Sequence, residues 1–142
     1  MSQENVDLVI ALQPAPEQDT TQLWRDDRVW EVARAALGQL FHDDFECTFP
    51  LPGSVKIYVG VEGMRAAWLD WLAPWASYRT EIEKAIDLGD RVLLLIHDYG
   101  RREGSAAEVR GNVAAMWTLR AGKIVRVDFY ADRSEAFRDA GL

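Results

Sequence analysis

The hydrophobic pattern of this chain changes period at Tyr78, and this change limits the folds that are open to it. Before Tyr78, apolar residues recur at helical spacing in three stretches, 3–12, 28–41 and 61–75. From Tyr78 onward the period is two, in the segments 78–87, 91–99, 109–119 and 124–130. Helices followed by a meander of long antiparallel strands predict an α+β fold.

Proline and aspartate set the predicted limits of the first two helices. Pro14 and Pro16 cannot continue the first helix, and residues 13–26 are predicted to form a loop. Asp26 or Asp27 can then cap the second helix, because a carboxylate accepts hydrogen bonds from the free N–H groups of a first helical turn.

Further boundaries follow from turn residues. Alternating apolar residues predict a strand over 45–50, and the sequence Pro52-Gly53-Ser54 predicts a turn after it. Gly60 begins the third helix. Asp132, with Glu135 three residues later, predicts the cap of a short helix that runs to the end of the chain.

Length and charge limit the class of protein and its partners. With 142 residues, of which 49% are hydrophobic and 27% charged, the chain is predicted to fold as a single domain, 1–142. A net charge of -7 argues against a nucleic-acid or anionic-membrane partner, since both require a basic face. The sequence contains no signal-like start and no apolar run of membrane-spanning length, so we expect a cytoplasmic protein.

The sequence predicts neither a metal nor a cofactor. Cys47 is the only cysteine and lies in an apolar strand, which indicates a buried, unreactive thiol. Two distant histidines, His42 and His97, do not have the spacing of metal ligands. No glycine-rich loop follows a strand, so nucleotide binding has no support.

Four segments carry a resemblance to a known family: 58–68 (YVGVEGMRAAW), 89–92 (GDRV), 116–126 (MWTLRAGKIVR) and 130–142. From about Asp27 onward, the chain resembles the SnoaL-like branch of the nuclear-transport-factor-2-like superfamily. The resemblance implies a cone-like domain in which a strongly curved antiparallel sheet wraps around the N-terminal helices, as in a cystatin-like roll, and encloses an apolar pocket. These segments are structural signatures, so they specify fold more than function.

The hairpin turns predict which residues face that pocket. If Ala121-Gly122 is a two-residue turn and the preceding hairpin is centred near Gly104, the cross-strand pairs follow. They include Met116–Val127, Ala114–Phe129, Asn112–Ala131, Val92–Met116, Leu94–Ala114, Ile96–Asn112 and Asp98–Arg110. The more apolar face is predicted to be concave, and it carries Val92, Leu94, Ile96, Asp98, Arg110, Asn112, Ala114, Met116, Val125, Val127 and Phe129.

The opposite face is also too apolar to be left in water. It is predicted to present a contiguous patch formed by Leu93, Leu95, Val113, Ala115 and Trp117. Such patches usually mark a partner surface. We therefore expect a homodimer formed through the sheet.

The concave face predicts the ligand contacts. We expect a hydrophobic small molecule, aromatic or polycyclic, enclosed by Asn112, Trp68, Met64, Phe49, Ala114, Met116, Val127 and Phe129. Asn112 is the polar residue of this set, and together with Asp98 and Arg110 it would fix the orientation of the ligand.

The resemblance also indicates which chemistry is missing. Phe49 and Ala114 stand where steroid-isomerase-like members carry catalytic carboxylates, and Phe129 stands where epoxide-hydrolase-like members carry an aspartate. Asp98 and Arg110 remain as a candidate catalytic pair, in which the guanidinium would keep the carboxylate ionised. A cross-strand salt bridge is the structural alternative.

An alternative catalytic set depends on the register. His97, Asp128 and Tyr130 fall on the outer face in the predicted register. An error of one residue on each strand would bring them into the pocket as base, orienting acid and oxyanion donor. Three functions therefore stay open: a small-molecule-binding domain, an enzyme of cyclase, isomerase or hydrolase type, and a protein-interaction module that uses the outer sheet face.

Overall fold

The computed structural model describes residues 2–50 and 56–142, so the turn predicted at Pro52-Gly53-Ser54 lies outside the described residues. The elements of the described part are α1 Ser2–Ala11, α2 Thr20–Arg25, α3 Asp27–Leu40, β1 Phe41–Phe49, β2 Lys56–Val59, α4 Gly60–Leu72, β3 Trp75–Asp87, β4 Arg91–Arg102, β5 Glu108–Arg120, β6 Lys123–Tyr130 and α5 Arg133–Ala140.

The strands form one sheet in the order β2-β1-β6-β5-β4-β3. Neighbouring strands are antiparallel, except that β1 runs parallel to β6. The predicted α+β class with an antiparallel meander is confirmed. The sequence did not indicate β2, because this strand has four residues of which one is buried. It did not indicate the parallel pair either, because the pairing of β1 with β6 joins segments that are distant in the sequence.

The predicted helix caps are confirmed. Asp26 accepts hydrogen bonds from the backbone N–H groups of Arg28 and Val29 at 2.9 and 3.2 Å, which satisfies the start of α3. Asp132 accepts a hydrogen bond from the backbone N–H of Ser134 at 2.9 Å and caps the start of α5.

The loop predicted over 13–26 contains the short helix α2. Asp19 caps this helix through Thr21 and also accepts a hydrogen bond from the backbone N–H of Tyr78 at 3.1 Å. The Thr20 hydroxyl donates to the Tyr78 carbonyl, also at 3.1 Å. Tertiary contacts with β3 therefore stabilise a segment of low helix propensity, and such contacts leave no periodic signal.

The turn between β5 and β6 has the predicted form, but the register beyond it does not. Ala121 and Gly122 have φ of 52° and 77°, as a tight hairpin turn requires, and Arg120 pairs with Lys123. Val125 then forms a bulge, and Trp117, not Met116, opposes Val127.

The β4–β5 register differs from the prediction by the same single residue. The observed pairs include Val92–Trp117, Leu94–Ala115, Ile96–Val113, His97–Asn112, Asp98–Gly111 and Tyr99–Arg110. The predicted face of β4 is therefore confirmed, as is that of β6 for Val127 and Phe129, and the predicted face of β5 is wrong. Because side chains alternate along a strand, this shift turns every β5 side chain to the other face.

The main core lies on the concave face, between the sheet and helices α1 to α4. Its buried members include Phe45, Val92, Leu94, Ala115, Trp117 and Val127. Met64 and Phe41 are buried there. Trp68 and Leu37 pack against the same core and are partly buried.

The outer face of β4 and β5 carries a second, smaller cluster. Leu93, Leu95, Ala114 and Met116 pack there against α5, which contributes Ala136 and Phe137. The predicted outer patch is corrected accordingly, because Val113, Ala115 and Trp117 belong to the concave core. The chain's own C-terminal helix thus covers apolar surface that had suggested a homodimer, and dimerisation stays a prediction.

Within the described helices, none combines the length and apolar character that crossing a bilayer requires.

Candidate functional site

The larger cavity on the concave side has a volume of about 310 Å³. The N-terminal helices and their connections contribute apolar side chains that include Leu12, Leu23, Trp24, Trp30, Leu37 and Leu40. The rest of its wall comes from α4 and the sheet, through Met64, Trp68, Phe41, Trp117 and Phe129. It falls within the size range of ligand pockets, roughly 300–1,000 Å³.

The loose packing of α3 leaves this space open. Trp30 is the one buried residue of the helix. Ala33 and Leu37 are half-buried, and Val29 and Ala36 border the cavity while exposed to solvent. The cavity is therefore open to solvent along α3.

Indole rings form the wall nearest α4. Trp24 stacks on Trp68 with ring centroids 5.5 Å apart and planes inclined by 13°, and Trp30 lies 5.9 Å from Trp24. The indole N–H of Trp30 donates to Glu62 at 3.3 Å, so this ring is fixed from outside the cavity. Flat, fixed walls of this kind suit planar apolar ligands.

Trp117 brings a buried polar atom to the same cavity. Its indole Nε1 has no hydrogen-bond partner among the described residues, although Trp117 is only 6% exposed. The ring lies edge-on to Phe41 at 6.4 Å and to Phe129 at 6.5 Å. An unpaired buried N–H typically costs about 1–3 kcal/mol. The sequence indicated no role for Trp117 here, because the predicted register placed it on the outer face.

A second, smaller cavity of about 30 Å³ lies on the other side of Trp68 and Phe129. Apolar and aromatic side chains line it, among them Phe49, Trp68, Trp71, Ile96, Val113 and Phe129. Tyr78 and Thr80 also border it. A space of this size holds a water-sized group, since one water needs about 10–15 Å³.

Tyr78 and Asp98 form a buried pair beside the smaller cavity. The Tyr78 hydroxyl donates to Asp98 Oδ2 at 2.5 Å, and the two residues are 4% and 8% exposed. Burial raises the pKa of the Tyr78 hydroxyl far above its ordinary value, and the Asp98 charge and hydrogen bond raise it further, whereas the Trp71 side chain lowers it. Tyr78 therefore stays protonated and is a fixed donor to the carboxylate.

The predicted pair of Asp98 and Arg110 does not form. Arg110 pairs with Tyr99 across the ladder and is exposed, with its guanidinium 5.3 Å from the Tyr99 ring centroid. Asp98 faces inward, as predicted, but lies opposite Gly111 and bonds to Tyr78. The sequence did not predict Tyr78 as the partner of Asp98. Its alternation with Thr80 placed both residues on one face of β3, but the pairing of β3 with β4 decides which side chains meet.

The other polar anchor predicted for the pocket is also displaced. Asn112 lies on the outer face, where its Oδ1 is 2.7 Å from Nδ1 of His97. Met116 and Ala114 pack in the outer cluster, although Ala114 also borders the smaller cavity. Val127 faces the concave core, as predicted, but lines neither cavity.

The alternative catalytic set is not assembled either. His97 Nε2 pairs with Glu83 at 2.7 Å. Asp128 binds Arg126 at 2.9 Å, and the Tyr130 hydroxyl donates to Asp139 at 2.7 Å. Because each group has a different partner on the outer face, His97, Asp128 and Tyr130 do not form a common site.

Of the remaining predicted contacts, four border a cavity. Met64 borders the larger one, Phe49 the smaller one, and Trp68 and Phe129 border both. Rings of this group pack on each other, with Phe49 and Phe129 centroids 4.3 Å apart.

Cys47 is buried on the concave side of β1. Burial raises the pKa of its thiol to about 12, the Asp128 charge adds to this, and Arg126 opposes it. The thiol is therefore a poor nucleophile at neutral pH. In residues 2–50 and 56–142, no three His, Cys, Asp or Glu side chains are placed to hold a metal ion.

Comparisons with known proteins agree with this geometry. A protein described as a SnoaL-like polyketide cyclase, from Jannaschia sp. CCS1, superposes with a TM-score of 0.66 at 16% identity, over 96% of this chain and 90% of that one. An NTF2-like protein from Burkholderia xenovorans gives 0.62 at 18% identity, over 100% and 98%. An LEH-like epoxide hydrolase from M. tuberculosis gives 0.57 at 15% identity, over 96% and 89%.

At these identities the solved structures establish the fold alone. Among proteins of curated function, none matches the sequence. A sequence profile of the SnoaL-like domain matches residues 20–127, which is more than half of the chain. The chain therefore belongs to the SnoaL-like domain family.

Proposed function

We propose that this domain binds a hydrophobic small molecule, planar and aromatic or polycyclic, in the larger cavity. The observation that carries the proposal is a space of about 310 Å³ on the concave face that indole and phenyl rings surround. Burial of apolar ligand surface in such a space is favourable by roughly 25 cal/mol per Å². Stacking on Trp24 and Trp68 favours flat molecules.

The structural relatives are compatible with a ligand-binding role, since one is described as a polyketide cyclase and another as an epoxide hydrolase. Catalysis is not part of the proposal, because neither predicted acid–base set is assembled. A protein-interaction role for the outer face has less support, because α5 covers its apolar centre.

The test is a titration with 9-fluorenone, a planar three-ring ketone, followed by tryptophan fluorescence and thermal unfolding. A ligand at a hundred times its dissociation constant stabilises the folded state by about 2.7 kcal/mol. Ala33→Trp places a large ring in the cavity and is expected to weaken binding at least about tenfold. Ala35→Trp is the matched control, since Ala35 lies on the exposed side of the same helix and borders no cavity.

Two results would contradict the proposal. One is the absence of any stabilisation by fluorenone and its planar analogues fluorene and anthrone. The other is equal binding by wild type and a folded Ala33→Trp variant, which would place the ligand elsewhere.

A further inference from the structure

Arg65 extends from α4 to the junction of α2 and α3. Its Nε donates to the Trp24 carbonyl at 3.1 Å, and its Nη2 pairs with Asp27 at 2.7 Å. One residue, Asp26, separates the two helices. The guanidinium therefore holds the end of α2 and the start of α3 at the same time.

The same guanidinium lies over an indole ring. Its Cζ is 5.5 Å from the ring centroid of Trp30, within the range of about 6 Å for a cation–π interaction. The Arg65 side chain is 17% exposed, whereas that of its carboxylate partner Asp27 is 89% exposed. Because exposed ion pairs contribute little, the Trp24 carbonyl and the Trp30 ring are the stronger contacts of Arg65.

Both of these contacts are made to the aromatic wall of the larger cavity. Trp24 and Trp30 line it, and Trp24 stacks on Trp68. Trp24 belongs to α2, which has six residues, and an isolated helix of this length is not stable by itself. The position of the Trp24 ring therefore depends on contacts from outside α2, and Arg65 supplies one of them although it borders neither the larger nor the smaller cavity.

We propose that Arg65 is the positioning residue that sets the preference of the larger cavity for flat ligands. The proposal rests on the function proposed for this cavity and adds the residue that controls its selectivity. By holding the junction of α2 and α3, Arg65 keeps the Trp24 ring parallel to Trp68. A planar ligand can then stack on this flat wall over its whole area, whereas a twisted ligand cannot.

The effect of losing Arg65 is expected to be local. α2 keeps a second link to the protein, because Arg25 donates to the carbonyl groups of Leu72 and Trp75 at 2.7 and 2.9 Å. The helix therefore stays attached when the guanidinium is removed, but the Trp24 ring is free to turn. The wall then loses its flat form, and with it the advantage of a planar ligand.

The test compares 9-fluorenone with benzophenone, a ketone with the same number of carbons whose two rings are twisted out of one plane. Wild type is expected to bind fluorenone more tightly by roughly two- to tenfold, the contribution of about one stacked aromatic pair. Arg65→Met removes the guanidinium and keeps an unbranched side chain, and it should make the two affinities equal. Tryptophan fluorescence measures both, and their ratio is insensitive to a general loss of stability.

Arg34→Met is the matched control, since it removes one positive charge at the boundary of α3 and α4. The Arg34 side chain is 49% exposed and pairs with Glu62 at 2.9 Å. Loss of this exposed pair leaves the contacts of Arg65 in place, so Arg34→Met should keep the wild-type ratio.

The proposal is overturned if a folded Arg65→Met variant keeps the wild-type ratio, if Arg34→Met lowers the ratio as much, or if wild type binds both ketones equally. If Arg65→Met does not fold, Arg65→Lys decides. Lysine lacks the planar group that bonds and stacks at once, so an undiminished ratio in this variant overturns the proposal. Failure of wild type to bind either ketone would refute the function proposed for the cavity, and the role of Arg65 with it.

Discussion

Asp98 and Gly111 face each other across the β4–β5 ladder, and the Oδ1 atom of Asp98 occupies the space that a side chain on Gly111 would need. The glycine therefore allows the carboxylate to lie flat on the concave face and to reach the Tyr78 hydroxyl on the next strand. The buried pair thus depends on the absence of a side chain at Gly111.

Gly111→Ala is expected to destabilise the protein by about 1–3 kcal/mol. The added methyl group forces Asp98 aside and breaks its hydrogen bond, which leaves a buried carboxylate without a partner. Urea unfolding followed by tryptophan fluorescence measures the loss. Gly38→Ala is the control, because a Cβ at this position on α3 meets nothing within 4 Å and should stabilise the helix by roughly 0.5–1 kcal/mol. Equal stability of wild type and Gly111→Ala would contradict this account of the pair.

Cys47 predicts a specific dependence of stability on alkaline pH. Its pKa is raised by burial to about 12 in the folded state, so folding favours the neutral thiol. The stabilisation is complete below the unfolded pKa of about 9, and is lost as the pH rises toward 12. The stability difference between wild type and Cys47→Ala should fall by at most about 1.4 kcal/mol per pH unit in this range.

Thiol labelling gives an independent measurement of the same residue. At pH 8, a disulfide reagent should modify native Cys47 far more slowly than it modifies the urea-unfolded chain, because the folded thiol is buried and protonated. Labelling of the native protein at the unfolded rate would show that Cys47 is accessible, contrary to its burial in the core.

Trp117 and Trp30 differ in what their indole N–H groups bond to, and this predicts different costs of substitution. Trp117→Phe removes an N–H that has no partner among the described residues, so the lost ring contacts are partly offset. Trp30→Phe loses the bond to Glu62 as well as ring contacts. Chemical denaturation should show Trp117→Phe to be the less destabilising by about 1 kcal/mol. The reverse order would indicate a partner for the Trp117 indole.

The sequence predicts the elements of this fold better than the contacts between them. The α+β order, the caps at Asp26 and Asp132 and the tight turn at Ala121-Gly122 all follow from local rules. The inward side of β5 does not, because the bulge at Val125 shifts the register of β5 against β6 by one residue. That shift brings Trp117 into the cavity wall and removes Asn112 from it.

Tyr78 shows the same limit at the level of the site. Its place on one face of β3 is visible in the alternation with Thr80. Its bond to Asp98 depends on the pairing of β3 with β4, which joins residues twenty positions apart. Local patterns therefore located the concave residues of β4 and β6, and long-range pairing decided which polar groups meet there.

The corrected register changes what substitutions at Asn112 and His97 should do. Both side chains belong to a network on the outer face, in which His97 lies between Asn112 and Glu83 at 2.7 Å from each, and Arg133 reaches Glu83 at 3.3 Å. None of the four borders the larger or the smaller cavity. Asn112→Ala and His97→Ala should therefore leave the affinity for 9-fluorenone unchanged within about twofold. Each substitution should lower the free energy of unfolding by no more than about 1 kcal/mol, as is usual for partly exposed charged networks. Titration of both variants beside Ala33→Trp, which should lose binding, measures the contrast on one scale. A tenfold loss of affinity in Asn112→Ala, with stability intact, would instead place the ligand on the outer face of the sheet.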